Sequence, residues 1–194
     1  MEDTQKTVTG KEGTFAGIVK PVLVLLLICV VCGALLAWLN QVTAPLITEN
    51  ERLATQEAFL AVLPEGTDAG SLETLTVSAE GVVSAVKSPD GQAAVEASAA
   101  GYSGKDVTVY VAFDAEGNIS GIRIDASTQT AGIGSKVGEQ EYADGFLGWN
   151  SGSQAADGSP VDAVSGASYS SEAVLGAVNA AMSCYNDEIK GALE

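Results

Sequence analysis

The sequence predicts an α+β protein: a single N-terminal transmembrane helix, then a soluble domain of antiparallel β-sheet with flanking helices. Three observations carry this. Residues Pro21 to Leu39 form an uncharged apolar run, and no charge appears before Glu49, which satisfies the roughly 20 residues a helix needs to cross a bilayer. Further on, Val107, Val109 and Val111 alternate with polar neighbours, Asp114 to Asn118 turns, and Ile119, Ile122 and Ile124 lead back, the period-two pattern of a half-buried hairpin. Near the end, Val174, Val178, Ala181 and Tyr185 recur at three or four residues, which is helical spacing.

The chain divides on this reading into a polar tail at 1–20, a transmembrane helix with its interfacial end at 21–47, a linker helix at 48–64 and a domain at 65–194. The lysines Lys6, Lys11 and Lys20 precede the span, and the first basic residue after it is Arg52. Positive charge is retained on the cytoplasmic side, so the N-terminus is expected inside and the domain outside the cell membrane, or the inner membrane where there are two. A cleaved signal peptide is disfavoured because no small-residue cleavage pattern follows the apolar run. Trp38 stands near one end of the run, as an interfacial anchor does. Cys29 and Cys32 share a helix face, and inside a lipid-facing helix they read as small apolar fillers rather than ligands.

The linker helix is read from Thr48 and Glu51, which have capping-box spacing, with Pro64 as its stop. Two β-leaning runs follow, Leu72 to Val77 and Val82 to Lys87, and a turn at Pro89-Asp90-Gly91 ends the pair. The alternating hairpin comes next, and after it Tyr142 and Phe146 precede a Gly/Ser-rich loop from Gly148 to Pro160.

Composition excludes several function classes. A formal net charge of -16 argues against nucleic acid as a partner, because phosphate backbones need clustered Lys and Arg. The sequence has no histidine, which removes Ser-His-Asp catalysis, His-ligated haem and the common zinc sites. Neither a catalytic residue nor a metal site is expected.

The stretch Val161-Asp162-Ala163-Val164-Ser165-Gly166-Ala167-Ser168 turns from an apolar run into the last helix. Ser168 falls at or just before the helix N-terminus, where unpaired N–H groups and the helix dipole favour an anion such as phosphate. Read alone, a serine at such a turn is most often an N-cap. A second glycine-bearing loop, Thr130-Ala131-Gly132-Ile133-Gly134 followed by Lys136, allows close approach of backbone to a neighbour. An ordinary loop has the same composition.

The run from Asp162 to Ser168 resembles the covalent flavin-attachment motif of the FMN-binding domain family: Asp, a small residue, any residue, Ser or Thr, Gly and Ala ahead of the acceptor, usually threonine. Gly101-Tyr102-Ser103-Gly104, the hairpin with Gly117 and the Thr130 to Gly134 loop are similar to that family in order and spacing. Ser127, Gln129 and Ala131 stand where the family has His, Glu and Pro. With the single anchor, nearly the whole chain resembles the G-subunit family of the Rnf complex, the ion-translocating ferredoxin:NAD oxidoreductase. The C subunit of the sodium-translocating NADH:quinone reductase is the near alternative, and a stand-alone extracytoplasmic FMN-dependent reductase is another.

The resemblance implies FMN esterified through its phosphate to Ser168 by a flavin transferase, with Ser165, Gly166, Ala167 and Asp162 shaping the turn and Thr130, Gly132 and Gly134 facing the cofactor. Apart from the resemblance, Lys136 is the one basic residue beside that loop in a strongly acidic domain and is expected near the flavin, where its charge favours the reduced, anionic form, a solvated surface lysine being the alternative reading. It implies as partners the other membrane and peripheral subunits of an Rnf-type complex, and as function the relay of electrons coupled to Na+ or H+ translocation.

Overall fold

The structure is a computed structural model that describes residues 12–193; Lys6 and Lys11, which carry part of the charge asymmetry above, lie outside the described residues. The chain forms two compact units, Met1–Arg52 and Leu53–Glu194. Helix α1 runs Glu12–Val62. It therefore begins inside the stretch expected as a polar tail and continues through the position expected to start a linker helix. The reason is local: Thr48 is already in a helical turn, and its hydroxyl donates to the Ala44 carbonyl at 3.2 Å instead of capping a new end. Thr43 does the same to Leu39 at 3.0 Å. The segment Val19–Val62 is long and apolar enough to cross a membrane, and the side chains from Val22 to Leu39 are exposed. That is compatible with a single-pass anchor, since lipid is the solvent such a surface suits.

In the second unit, five strands form an antiparallel sheet in the order β1-β2-β3-β4-β5: β1 Glu73–Leu75, β2 Val82–Lys87, β3 Ala93–Ala100, β4 Asp106–Phe113 and β5 Ile119–Asp125. The β4/β5 hairpin pairs Val109 with Ile124 and Val111 with Ile122, as the alternation predicts. Its turn is held by Asp114, whose Oδ1 accepts the N–H groups of Glu116 (3.0 Å) and Asn118 (2.7 Å). Gly117 takes φ +83° there, and a Cβ would meet Ser151 Oγ at 2.7 Å. Strand β3 is the element the sequence reading lacks, although it is the centre of the sheet.

Both faces of the sheet are covered. Helix α3, Ser168–Cys184, lies on one, where Val174, Val178, Ala181 and Tyr185 join Val95, Ala97, Val109 and Val111 in the larger core. The small side chains of β3 admit the helix closely: Gly176 packs over Ala99, with room for a Cβ at 3.6 Å. On the other face the end of α1 sets Phe59, Val62 and Leu63 against Val86, Ala94, Tyr110 and Ala112. Phe59 meets Tyr110 edge to face at 5.5 Å. Gly121 has the Val62 carbonyl directly above its Cα, leaving no space for a side chain. Each fully buried Val or Phe in these layers contributes roughly 1.5–3 kcal/mol.

Between β5 and α3 the chain makes a short helix α2, Gln140–Asp144, and two two-residue strands, β6 Ala156–Asp157 and β7 Pro160–Val161. Asn150 bridges to Asn118, 2.9 Å from its Nδ2 to the Asn118 Oδ1, which ties the Gly/Ser-rich loop to the hairpin. After α3 comes a π-helical turn, Tyr185–Ile189, and a last helix α4, Lys190–Leu193. Tyr185 stacks on Phe113 at 4.5 Å, and its hydroxyl donates to the Asp114 carbonyl at 3.0 Å.

Candidate functional site

The site forms where the loop after β5, the turn before β4 and the N-terminus of α3 converge. Ser168 is the first residue of α3, not its cap. The capping position is Ala167, and no side chain caps the end, so the N–H groups of the first turn keep donor capacity for a ligand. The four hydroxyls of the motif divide cleanly. Ser170 and Ser171 are buried: Ser170 donates to Gln129 Oε1 at 2.9 Å, and Ser171 Oγ accepts the Val164 N–H at 3.0 Å. Ser165 and Ser168 are exposed, and of these two only Ser168 lines the cavity beside the helix.

That cavity has a volume of about 370 Å³ and is lined by Tyr102, Thr130, Ile133, Gly134, Gly166, Ala167 and the first residues of α3. Gly166 makes the turn at φ +80°, a backbone that side chains with a Cβ rarely adopt. Gly134 is buried, and a Cβ there would lie 2.7 Å from Ser170 Oγ. Thr130 brings an exposed hydroxyl, and its carbonyl accepts the N–H groups of Ile133 (3.2 Å) and Ser135 (3.1 Å). Tyr102 and Tyr169 bring aromatic rings that are 55% and 67% exposed. A second cavity of about 150 Å³ adjoins it through Tyr102 and Thr130 and is lined also by Ser103, Lys105, Thr128 and Gln129.

Of the residues expected at the site, Ser168, Gly166, Ala167, Thr130 and Gly134 come together around the larger cavity. Ser165, Asp162, Gly132 and Lys136 line neither this cavity nor the smaller one. The turn that Asp162 was expected to orient is oriented by Asp157, whose Oδ1 accepts the Ala163 N–H at 2.7 Å. Gly132 stands at φ +75° and donates its N–H to Ser135 Oγ at 2.9 Å. Lys136 is exposed on a tight turn spanning Gly134–Gly138. Sequence reasoning missed the aromatic pair, Ile133, Gln129 and Lys105 as site residues. The available signal was the placement of Tyr102 and Tyr169 inside two turns already rich in glycine and serine.

Tyr142 packs edge to face on Phe146 at 5.9 Å. Its hydroxyl sits beside Ser171 without a hydrogen bond, and burial pushes its pKa up. It supports the motif from behind and does not line either cavity.

The donor set suits one kind of ligand. An uncapped helix N-terminus and exposed hydroxyls fit a phosphate and a polyol chain, and two tyrosines with Ile133 fit a flat aromatic ring. The larger cavity falls within the roughly 300–1,000 Å³ of small-molecule sites. These are the parts of a flavin mononucleotide. Residues 101–183 match the family model of the FMN-binding domain, so this unit is a flavin-binding domain and FMN is its cofactor. Residues 16–62 match the RnfG N-terminal region, and on both matches together the chain belongs with the RnfG-like subunits. The comparison with curated proteins gave no match.

Proposed function

We propose that this chain is a membrane-anchored flavoprotein subunit that relays electrons through FMN esterified to Ser168, within a redox-driven complex that moves Na+ or H+ while coupling ferredoxin and NAD. The observation that carries the attachment is the division of hydroxyls: Ser168 is exposed and lines the cavity, whereas Ser170 and Ser171 are buried and hydrogen-bonded. When bound, FMN supplies the one- and two-electron chemistry.

The chain's own residues bind and orient. The uncapped first turn of α3 offers N–H groups and the positive end of its dipole to the phosphodiester. Gly166 and Ala167 leave the approach to Ser168 free of bulk, Thr130 offers a hydroxyl from the facing loop, and Gly134 lets that loop close on Ser170. A covalent tether makes rebinding intramolecular at high effective concentration, which retains the cofactor on the outer side of the membrane. The N-terminus is cytoplasmic and the domain extracytoplasmic in this reading. A flavin transferase loads Ser168, and the other membrane and peripheral subunits of an Rnf-type complex supply the donor and acceptor.

The match at residues 16–62 to the RnfG N-terminal region favours this reading over the equivalent subunit of sodium-translocating NADH:quinone reductase and over a stand-alone reductase. The test is purification from membranes in mild detergent, with flavin fluorescence read in a denaturing gel. A fluorescent band for this chain that travels with polytopic redox subunits is the expected result. A fluorescent chain that purifies alone and reduces an acceptor by itself would replace the relay with a reductase.

A further inference from the structure

The turn that carries Ser168 into α3 runs from Val164 to Ala167. It is closed by the Ala167 N–H on the Val164 carbonyl at 2.9 Å, with Gly166 at φ +80°. Val164 packs on the core and Ala167 is buried, but the corner residues Ser165 and Gly166 are exposed and bring no packing. A segment with so little buried surface opens readily unless hydrogen bonds from outside hold it. Two side chains from different segments supply them. Asp157 Oδ1, on β6, accepts the Ala163 N–H at 2.7 Å. Ser171 Oγ, on the first turn of α3, accepts the next N–H along, that of Val164, at 3.0 Å. Ser171 also gives its own N–H to the Ala167 carbonyl at 2.9 Å, so one residue grips both the first and the last residue of the turn. Ser171 is 0% exposed and Asp157 is exposed. Neither lines a cavity, and both lie outside the run from Asp162 to Ser168.

We infer that Asp157 and Ser171 are positioning residues for the flavin, a two-sided clamp that fixes the direction in which the Ser168 side chain leaves the backbone and, through it, where a phosphate-tethered ring comes to rest. This rests on the FMN reading above. FMN joined through its phosphate hangs from Ser168 Oγ on a chain of single bonds, each with its own staggered choices. The cavity walls select among those choices only while the anchor stays put, and a small rotation of the turn displaces the far end of the cofactor more than the near end. The same two bonds keep the turn in register with the first turn of α3, whose unpaired N–H groups are offered to the phosphate.

Both grips are accepted bonds, so each needs an oxygen and neither needs a charge. Asparagine at position 157 keeps an oxygen in the same place. Alanine at either position leaves a backbone N–H without its acceptor, and the loss is larger at Ser171, where burial keeps water from replacing it.

The experiment uses the full-length protein, made with the flavin transferase and held in detergent, with flavin loading on Ser168 measured by mass. Visible circular dichroism and fluorescence anisotropy of the bound flavin are compared for wild type, Asp157→Asn, Asp157→Ala and Ser171→Ala. Asp157→Asn should overlay wild type, Asp157→Ala should lose part of both signals, and Ser171→Ala should lose more. A folded alanine variant that takes less flavin than wild type, with Asp157→Asn fully loaded, is the same loss read at the loading step. Far-ultraviolet dichroism identifies any unfolded variant; if Ser171→Ala is one, the two variants at the exposed Asp157 carry the decision. A folded, loaded Asp157→Ala or Ser171→Ala whose flavin signals overlay wild type would overturn the clamp, and so would an Asp157→Asn that loses as much as Asp157→Ala. Absence of flavin mass on wild type would instead overturn the FMN reading beneath it.

Discussion

Tyr102 and Tyr169 face each other from different elements, with ring centroids 6.2 Å apart and planes inclined by 53°. Both line the larger cavity. Tyr102 comes from the turn before β4 and Tyr169 follows the candidate acceptor directly, so the two rings together give the cavity beside Ser168 an aromatic lining. Offset and tilted arrangements of this kind are the favourable ones for aromatic groups.

Tyr169→Leu should make the native flavin brighter. A phenol stacked on an excited flavin quenches it by donating an electron, and leucine cannot. Fluorescence of loaded wild type and variant is compared native and then unfolded: the native variant should be brighter, and the two should coincide in denaturant. Equal native intensities would place Tyr169 away from the ring.

A positive charge near a flavin favours its reduced, anionic form. Lys105 lines the smaller cavity, whereas Lys136 lines neither. Lys105→Ala should therefore lower the flavin midpoint potential more than Lys136→Ala does, by spectroelectrochemical titration of the loaded protein. A larger fall for Lys136→Ala would return the role to the residue read from the sequence.

The soluble unit should lose stability in alkali. Burial, with the charge of Glu96 second, pushes Tyr110 up to about 12, and burial, with Glu188 and Asp187 after it, pushes Cys184 up to about 11. Tyr142 and Tyr185 are raised too, burial again the first cause. A raised folded-state pKa means the unfolded chain releases its proton first. The stability is thus complete below the unfolded values, 9.0 for the thiol and 10.0 for the phenol, and drains as pH climbs through the folded ones. Denaturant melts of the loaded protein from neutral pH upward should show this. Cys184→Ala should flatten the early part of the fall at a cost of about 1 kcal/mol at neutral pH. Tyr110→Phe should flatten the later part and cost about 1.5–3 kcal/mol through its lost bond to the Glu96 carboxylate. Unchanged slopes in both variants would show that other groups govern the alkaline limit.

The hairpin β4/β5 and helix α3 were legible because their apolar residues repeat at the period of the element and one face of each meets the core. Strand β3 was not. Its sequence, Ala-Ala-Val-Glu-Ala-Ser-Ala-Ala, is poor in the β-branched and aromatic residues that mark strands, and alanine on its own leans to helix. Pairing on both sides and the close seat of α3 decide its conformation, and those are tertiary facts. The unbroken course of α1 was hidden for a related reason: Thr48 and Glu51 have the spacing of a cap, but a cap acts only where the preceding turn is absent. Within the site, the resemblance to a known motif located Ser168, Gly166, Ala167, Thr130 and Gly134. Gln129 was read only as a departure from the family's Glu, because a lone glutamine carries no periodic signal and its four hydrogen-bond partners meet it only in space.

The attachment of FMN to Ser168 is tested most directly by mass spectrometry of the peptide spanning Val161 to Glu172, from protein made with the flavin transferase. Ser165 is the other exposed serine of the motif, so fragment ions must separate the two positions. Wild type should carry the added mass of FMN on Ser168, and Ser168→Ala should lack it. Flavin that stays on Ser168→Ala through denaturation, or fragment ions that place the mass on Ser165, would contradict it.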